Sequence, residues 1–287
     1  MRWLVGEYFN STMFKRLDPK TQATRRVILE RFCANVAEGA READGEKPFA
    51  EMLPRHLRKR RDAMSDRPEA ANGMVKVLRQ VFKYAMLYDL IDRNPADGIE
   101  PLKSGSDGYH SWTLAEIERY EEKHPLGTTA RLALALALYT GQRRGDLVQF
   151  GKQHVRDECL IFTQNKGRNR HPIRLELPIV PPLRQVLDAS PTGDLAFLAT
   201  AYGQPFTNNG FGNRFREWCD AAGLPQCSVY GLRKAAAARL AELGCTELEI
   251  MAITGHQTSK EVARYTKAAN QRTRAASALV KMTAERK

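Results

Sequence analysis

The sequence predicts a mainly helical protein of two domains, in which an all-helical N-terminal domain precedes an α+β domain of helices around a small antiparallel sheet. Apolar residues recur at helical intervals through the first hundred residues, and two short β-favouring segments occur later, near residues 159–177. A stretch containing prolines and glycines separates the two patterns. A chain of 287 residues can hold two cores. We therefore assign residues 1–98 to the first domain, 99–111 to a linker and 112–287 to the second domain.

The first domain contains two helices with clear sequence signals. Residues 21–36 carry apolar side chains at helical spacing. A second helix is predicted to begin near Asp66, because Glu69 three residues later completes a capping-box pattern and Pro68 suits a first turn. That helix ends before Pro95, since proline disfavours the helical conformation in the residue preceding it.

The second domain begins with another capping box, formed by Thr113 and Glu116, and continues with an alanine- and leucine-rich helix over 129–139. Residues 159–163 and 173–177 favour strands, and the polar turn between them predicts an antiparallel hairpin. Further helices are predicted at 182–189, 208–222, 231–243, 246–253, 259–267 and 270–284.

The chain is strongly basic, with 45 lysines and arginines, 33 acidic residues, a net charge of +12 and a pI near 9.6. Residues 1–105 carry 20 basic and 15 acidic side chains, and residues 106–287 carry 25 and 18. Both halves therefore have the excess of positive charge that is expected if both grip one nucleic acid. The alternative is that many soluble proteins are basic without binding a polyanion.

The cysteines and histidines indicate neither a metal site nor a disulfide framework. The five cysteines are an odd number without Cys-x-x-Cys spacing, and the six histidines include no His-x-x-x-His pair. The longest apolar run, residues 132–139, is too short to span a bilayer, and the N-terminus does not resemble a secretory leader. We expect a cytoplasmic protein that uses no metal, no cofactor and no membrane contact.

Basic side chains cluster in the first domain. The run from His56 to Arg61 lies on a predicted short helix, and further lysines and an arginine follow on the polar side of the next helix. A charge run is commonly only a solvated face, but the functional interpretation is binding of backbone phosphates. Together with two arginines of the hairpin turn, the predicted DNA-binding residues are Arg58, Lys59, Arg60, Arg61, Lys76, Arg79, Lys83, Arg168 and Arg170.

Side chains suited to phosphodiester chemistry without a metal follow one another along the second domain. Arg143 lies after a glycine turn, Lys166 in the hairpin turn and Arg233 at the start of a helix. His256 follows another glycine, and Tyr265 comes nine residues later. Arginine and histidine can bind phosphate oxygens, lysine can protonate a leaving oxygen, and a tyrosine hydroxyl can attack phosphorus. Taken singly, each has an ordinary structural explanation, such as an exposed basic turn or a core tyrosine.

The order and spacing of these residues resemble the C-terminal signature of the tyrosine recombinases, the phage-integrase family. Residues 140–147 are similar to its Thr-Gly-x-Arg-x-x-Glu/Asp-Leu box, residues 254–256 to its Leu-Gly-His box, and residues 262–266 to its nucleophile segment. The resemblance implies the catalytic residues Arg143, Lys166, Arg233, His256 and Tyr265.

Three supporting positions also follow from the resemblance. Asp146 corresponds to the carboxylate that orients Arg143, and Lys234 to the histidine that often ends the His-x-Leu-Arg-His motif. Tyr230 departs from the family pattern, because a histidine thought to assist proton transfer usually stands there. A tyrosine hydroxyl titrates near pH ~10, so it can hydrogen-bond to phosphate but is a poor base at neutral pH. Either the enzyme tolerates this residue or its activity is reduced.

The resemblance implies a helical core-binding domain and a catalytic domain of the DNA breaking-rejoining type, closing on DNA as a clamp. The implied activity is that of a site-specific, metal-independent recombinase or integrase that cleaves DNA through a 3′-phosphotyrosine intermediate. Implied partners are double-stranded DNA with attachment-type sites, three further copies of the chain in a tetramer, and an accessory DNA-bending or directionality factor. We would expect such a protein at the bacterial nucleoid when it is bound to DNA.

Two other functions stay open at this point. A type IB topoisomerase-like relaxing enzyme uses similar chemistry without partner sites. A catalytically impaired DNA-binding relative of the recombinases would account for Tyr230.

Overall fold

The structure is a computed structural model that describes residues 1–103, 105, 108–169 and 171–284. Within the last helix, the side chains at positions 264, 265, 267–270, 272–274, 277, 281 and 284 lie outside this description. The chain divides into two compact units, Met1–Ser106 and Asp107–Lys287. The division falls within residues 99–111, the segment predicted to be a linker.

The first unit is helical wherever it has regular secondary structure among the described residues. Its helices are α1 (Arg2–Asn10), α2 (Thr12–Lys15), α3 (Pro19–Ala34), α4 (Pro54–Asp62) and α5 (Pro68–Leu87). Helix α3 begins at a proline, and the Asp18 carboxylate caps it by accepting a 3.0 Å hydrogen bond from the Thr21 N–H. Helix α5 buries one apolar face that includes Leu78, Val81 and Phe82.

Two features of the first unit differ from the sequence prediction. The capping box at Asp66 is wrong, because Arg67 occupies the N-cap position and the Asp66 carboxylate lies 3.0 Å from the Arg67 guanidinium instead. Helix α1 was not predicted from the sequence, although its residues Leu4 and Tyr8 are fully buried in the core.

The residues that follow α5 belong to the packing of the first unit. Ala96 and Ile99 are buried in its apolar core. Asn72 of α5 exchanges two 2.8 Å hydrogen bonds with the backbone of Leu102. These contacts hold the chain against the first unit up to residue 102.

The second unit combines helices with a small sheet. Its helices are α6 (Leu114–Lys123), α7 (Thr129–Thr140), α8 (Arg144–Leu147), α9 (Pro181–Ala189), α10 (Asn208–Ala221), α11 (Val229–Glu242), α12 (Glu247–Thr254) and α13 (Ser259–Ala284). A 3-10 turn at Lys152–His154 leads into the strands β1 (Val155–Arg156), β2 (Cys159–Thr163) and β3 (Arg174–Pro178). The strands are antiparallel in the order β1-β2-β3. The predicted fold class, mainly helical with a small antiparallel sheet, is confirmed.

The apolar core of the second unit surrounds α7. This alanine- and leucine-rich helix is buried along nearly all its length, including Leu132, Leu134 and Leu136. The sheet contributes alternate residues to the same core, such as Leu160 on β2 and its partner Leu177 on β3. Burial of nearly all the residues in the middle of α7 explains why residues 132–138 include no polar side chain.

Helix α13 packs against α11 and α12 and is one continuous helix from Ser259 to Ala284. The prediction of two helices, 259–267 and 270–284, was wrong. No proline or glycine interrupts the segment, so nothing in it prevents helical hydrogen bonding from continuing. Among the described residues, no helix has the length and apolar character needed to cross a membrane.

Replacement of Leu78 by alanine should destabilise the first unit, because the side chain is fully buried on α5. We expect a loss of about 2–5 kcal/mol, the range for removing a buried leucine. The matched control is Leu87→Ala on the same helix, where 64% of the side chain is exposed and the loss should stay near ~0.5 kcal/mol. Urea unfolding of both variants measures the difference, and equal midpoints would contradict the burial described for α5.

Candidate active site

Arg143 lies at the junction between α7 and α8. Gly141 ends α7 with φ 60°, a left-handed conformation that glycine adopts without steric cost. The chain then turns, and Arg143 becomes the N-cap residue of α8 with its side chain half-buried. The Arg143 Nη1 donates a 3.0 Å hydrogen bond to Oε1 of Gln164. A neutral side chain therefore holds this guanidinium in place.

Arg233 carries its guanidinium into the interior of the second unit. The residue lies on α11 and is 6% exposed. Its Nη1 donates a 2.6 Å hydrogen bond to the carbonyl oxygen of Gly141, and its Nη2 lies 3.0 Å from Nε2 of His256. Burial of a cation is costly unless hydrogen bonds replace those to water. These bonds join α11 to the end of α7 and to the turn after α12.

His256 follows Gly255, whose φ of 70° makes the sharp turn after α12. The His256 Nδ1 lies 2.7 Å from Oγ1 of Thr254, and that oxygen also lies 2.7 Å from the carbonyl oxygen of Ile250. The hydroxyl has one proton, which it donates to the carbonyl, so Nδ1 of the histidine donates to the hydroxyl. In the neutral ring, Nε2 is then the acceptor for Arg233.

The electrostatics of the site favour an anion. Burial and the positive charges of Arg233 and Arg143 lower the pKa of His256 from 6.5 to about 4. Lys166 is among the charges that lower this pKa. At neutral pH the histidine is therefore uncharged, while two guanidinium groups concentrate positive charge around it. Of the three residues that the sequence predicted to be catalytic here, Arg233 lies 3.0 Å from His256, and the charge of Arg143 acts on the same histidine.

Lys166 lies in the exposed turn of the β2–β3 hairpin. The base of this turn is held by Asp146, which is 3% exposed and accepts a 2.6 Å hydrogen bond from the Asn165 N–H. Burial raises the pKa of Asp146, while the Asn165 bond and the charge of Arg143 act in the opposite direction. Asp146, which the sequence predicted to orient Arg143, interacts with the backbone and the charge of that arginine as well as with the hairpin. The side-chain hydrogen bond of the Arg143 guanidinium goes to Gln164.

Tyr230 takes part in an aromatic stack at the start of α11. Its ring stacks on Tyr109 with centroids 4.8 Å apart and an interplanar angle of 21°. The Arg144 guanidinium carbon lies 5.6 Å from the Tyr230 centroid, and Lys234 Nζ lies 3.4 Å from the carbonyl oxygen of Tyr109. The roles of Tyr109 and Arg144 were not foreseen, because stacking between residues this distant in sequence has no local sequence signal.

Tyr265 lies on α13, and its side chain falls outside the part of the chain that the structure describes. The neighbouring Val262 and Thr266 are fully buried. Val262 packs with Ala237 of α11 and Ile250 of α12 in a small apolar cluster. This packing holds the backbone at Tyr265 against α11, which carries Arg233, and against α12, which precedes His256.

Several of the predicted DNA-binding side chains are engaged within the first unit. Arg61 donates a 2.5 Å hydrogen bond to the Glu100 carbonyl oxygen, Arg79 donates to a backbone carbonyl 2.9 Å away, and Arg60 lies 3.8 Å from the Asp44 carboxylate. Each of these arginines is only partly exposed. The exposed members of the predicted set are Arg58, Lys59, Lys76, Lys83 and Arg168. Arg170 lies outside the described residues.

One group of side chains in the described part of the chain has metal-ligating atoms within 4.8 Å of one another: His110, Glu116 and Cys227. The Glu116 carboxylate caps α6 and accepts hydrogen bonds from Thr113, His110 and Gln226, which lower its pKa to about 2 against the effect of burial. Burial raises the pKa of Cys227 to about 12, so the thiol keeps its proton. These bonds account for the arrangement without a metal ion.

Sequence reasoning missed two buried glutamines, Gln142 and Gln164, both with no exposed surface. Gln142 stands beside Arg143, and Gln164 directly precedes the hairpin turn that carries Lys166. A polar residue beside a turn ordinarily faces water, so the sequence contained no signal that either glutamine would be buried.

The model of the phage integrase family matches residues 113–272. The chain is also 24% identical to the integrase of Mycobacterium phage L5, over 94% of this chain and 84% of that relative. The chain belongs to the phage integrase family, which is the family of tyrosine-type site-specific recombinases. The resemblance drawn from the sequence motifs is confirmed.

Solved structures show the same fold. A lambda integrase (75–356) dimer bound to a COC′ core site matches with a TM-score of 0.78 and 18% identity, over 93% of this chain and 95% of that chain. A lambda integrase tetramer bound to a Holliday junction matches with a TM-score of 0.75 and 18% identity, over 93% and 77%. The Tn1549 transposon integrase (82–397), in complex with circular intermediate DNA, matches with a TM-score of 0.72 and 16% identity, over 92% and 94%.

Stability should fall as the pH is lowered from about 6.5 to about 4, because His256 takes up its proton at a lower pH in the folded chain than in the unfolded chain. In this window the unfolded state binds more protons, so acid favours unfolding. His256→Gln should flatten this part of the stability-versus-pH curve, whereas His171→Gln, which removes an exposed histidine, should leave the slope unchanged. Thermal melts across the window test the prediction, and an unchanged slope for the His256 variant would rule it out.

Proposed function

We propose that the protein is a site-specific DNA recombinase that cleaves and rejoins double-stranded DNA through a 3′-phosphotyrosine intermediate, with Tyr265 as the nucleophile. The observation that carries the proposal is the convergence of two guanidinium groups on one histidine: Arg233 lies 3.0 Å from His256, and the charges of Arg233 and Arg143 both act on its ring. Family membership and the packing of the α13 segment beside these residues support it.

In the cleavage step, the hydroxyl oxygen of Tyr265 attacks the scissile phosphorus, and the bond from phosphorus to the 5′ oxygen breaks. The new ester links Tyr265 to the 3′ end, and the departing 5′ oxygen receives a proton from Lys166. Rejoining is the reverse reaction with a 5′ hydroxyl as the nucleophile. One phosphate ester is exchanged for another, so the step consumes no nucleotide cofactor.

The two arginines stabilise the additional negative charge of the pentacovalent transition state. By comparison with other preorganised hydrogen-bond donors to a transition state, each contributes a rate factor on the order of 10²–10³. Preorganisation matters here, because Arg233 is fixed by the Gly141 carbonyl and Arg143 by Gln164 before DNA is bound.

His256 assists the two arginines at the phosphate. A bound phosphate adds negative charge beside the ring and so raises the pKa of the histidine. The protonated ring then donates a hydrogen bond from Nε2 to a phosphate oxygen, in place of the bond that Nε2 accepts from Arg233, and the proton of Tyr265 passes to solvent water. Tyr230 serves as a stacking residue beside Tyr109.

We further propose that the active assembly is a tetramer on DNA, as is the lambda integrase bound to a Holliday junction. The end of α13 exposes apolar side chains that a neighbouring copy would cover. These are Leu279, Val280 and Met282, each exposed by more than 60%.

Tyr265→Phe should abolish covalent attachment to DNA, because phenylalanine has no nucleophilic oxygen. The test uses a nicked duplex bearing the junction sequence of the protein's own mobile element, with EDTA present and the attached residue mapped by mass spectrometry. Tyr202→Phe is the control, since this tyrosine is 91% exposed and remote in sequence from the site. DNA binding without any adduct in the wild-type protein would refute the enzymatic proposal, and a paired-site substrate then distinguishes recombination from simple relaxation.

Replacement of the exposed residues Arg58 and Lys59 by alanine should weaken DNA binding to a similar extent for every DNA sequence. The slope of log affinity against log salt concentration should become shallower by roughly one for each phosphate contact that is lost. The control is Arg239→Ala, which removes an exposed arginine already paired with Glu242. Affinity titrations at several salt concentrations measure both quantities. An unchanged slope in the double variant would show that α4 does not face the DNA backbone.

A further inference from the structure

We propose that Gln164 is the positioning residue of the active site, where a single neutral amide orients Arg143 and ties the Lys166 hairpin to the turn that presents His256. This inference rests on the proposed function, because it assigns a role in phosphoryl transfer. It concerns a residue whose importance no sequence motif of the chain had indicated.

Gln164 lies at the point where β2 passes into the hairpin turn. Its backbone N–H donates a 2.9 Å hydrogen bond to the Ile173 carbonyl oxygen, so its backbone is part of the hairpin ladder. Its side chain turns inward and has no exposed surface. The Oε1 atom accepts the 3.0 Å hydrogen bond from Arg143 Nη1. The hairpin and the arginine are thereby joined two residues before Lys166.

The amide nitrogen of Gln164 makes the remaining connections. Its Nε2 donates to Oε1 of Gln142 at 2.6 Å and to the carbonyl oxygen of Thr254 at 2.9 Å. Gln142 in turn donates to the carbonyl oxygens of Thr140 and Ile253, at 2.7 and 2.8 Å. Both amides thus use both N–H groups and their oxygen, which fixes their orientation. A flipped Gln164 amide would point its oxygen at two acceptors and its nitrogen at a donor.

The space for this amide depends on Gly255. A Cβ at that position would collide with the Gln164 side chain, and the φ of 70° also disfavours other residues. The backbone turn before His256 can therefore approach the amide closely. One side chain consequently spans the segments that carry Arg143, Lys166 and His256.

Neutrality is the second property that suits Gln164 to this role. Among the described residues, Arg143 takes part in no ion pair within 4.0 Å, so its charge is available to a phosphate. A carboxylate at position 164 would also orient the arginine, but it would cancel this charge and lose both donor bonds. An amide fixes the geometry and leaves the electrostatic attraction for the substrate.

The test compares Gln164→Ala and Gln164→Glu with the wild type on the nicked duplex described above. Adduct formation in a single turnover at saturating DNA should slow by about 10–100-fold for Gln164→Ala, because small misplacements of catalytic groups cost up to ~10²-fold. Gln164→Glu should be slower still. The DNA dissociation constant of Gln164→Ala should stay within about threefold of the wild type, since the residue is buried away from the DNA surface.

A substrate with a methylphosphonate at the scissile position separates positioning from general structural damage. The methyl group removes the negative charge that Arg143 would neutralise, so the rate penalty of Gln164→Ala should shrink on this substrate. The control Gln153→Ala loses one hydrogen bond to the Leu195 carbonyl oxygen on the same unit and should react at the wild-type rate on both substrates. If Gln164→Ala does not fold, Gln164→Met keeps the volume and supplies the same comparison.

The outcomes distinguish the two proposals. A wild-type rate for Gln164→Ala, or an equal penalty on the charged and neutral substrates, overturns the positioning role while leaving the recombinase proposal intact. If the wild-type protein forms no adduct and Tyr265→Phe binds DNA equally well, the proposed function fails and the positioning role fails with it. A penalty confined to the charged phosphate supports both.

Discussion

The candidate active site depends on the buried guanidinium of Arg233. A cation at 6% exposure is stable only when directed hydrogen bonds replace its water shell, and the Gly141 carbonyl and His256 supply two of them. Gly141, which ends α7 in the left-handed conformation, therefore helps to position the arginine, because its carbonyl oxygen accepts the hydrogen bond from Arg233. Burial and, after it, the charge of the same cation lower the pKa of His256, so the histidine is uncharged at neutral pH. The buried charge of Arg233 thus connects the end of α7 to His256 through hydrogen bonds, and it also contributes to the attraction of the site for an anion.

Around this charge, the protein uses neutral polar groups as its scaffold. The two glutamines and Thr254 join α7, the hairpin and the α12–α13 turn through fully satisfied hydrogen bonds. Satisfied amides can be buried at modest cost, whereas ionic links in the same places would compete with the substrate. The buried carboxylate of Asp146 accepts its 2.6 Å hydrogen bond from the backbone of the hairpin and forms no side-chain ion pair within 4.0 Å among the described residues.

Much of this arrangement could be predicted from the sequence, because it depends on local signals. Each of these signals involves residues only a few positions apart in the sequence. They are the capping box at Thr113, the glycines that end helices at residues 141 and 255, and the alternation of buried and exposed residues in β2 and β3. The motif spacing then sufficed to identify the family. The predictions that failed had different causes. Asp66 has the sequence pattern of a helix cap, but its carboxylate pairs with the adjacent Arg67. The direct partner of Arg143 is Gln164, which lies 21 residues further along the chain and is brought to the arginine by the fold. Tyr230 was recognised as unusual, but its stacking on Tyr109 depends on contacts across 121 residues of sequence.

The absence of an ion pair on Arg143, among the residues that the structure describes, has a practical consequence for handling the protein. A site with two guanidinium groups attracts any tetrahedral oxyanion, and it does not distinguish a phosphodiester from free sulfate or inorganic phosphate by charge. Buffers containing these ions would therefore act as competitive inhibitors of DNA cleavage. The same ions would also raise the melting temperature, since a ligand that binds only the folded chain stabilises it in proportion to the logarithm of its concentration.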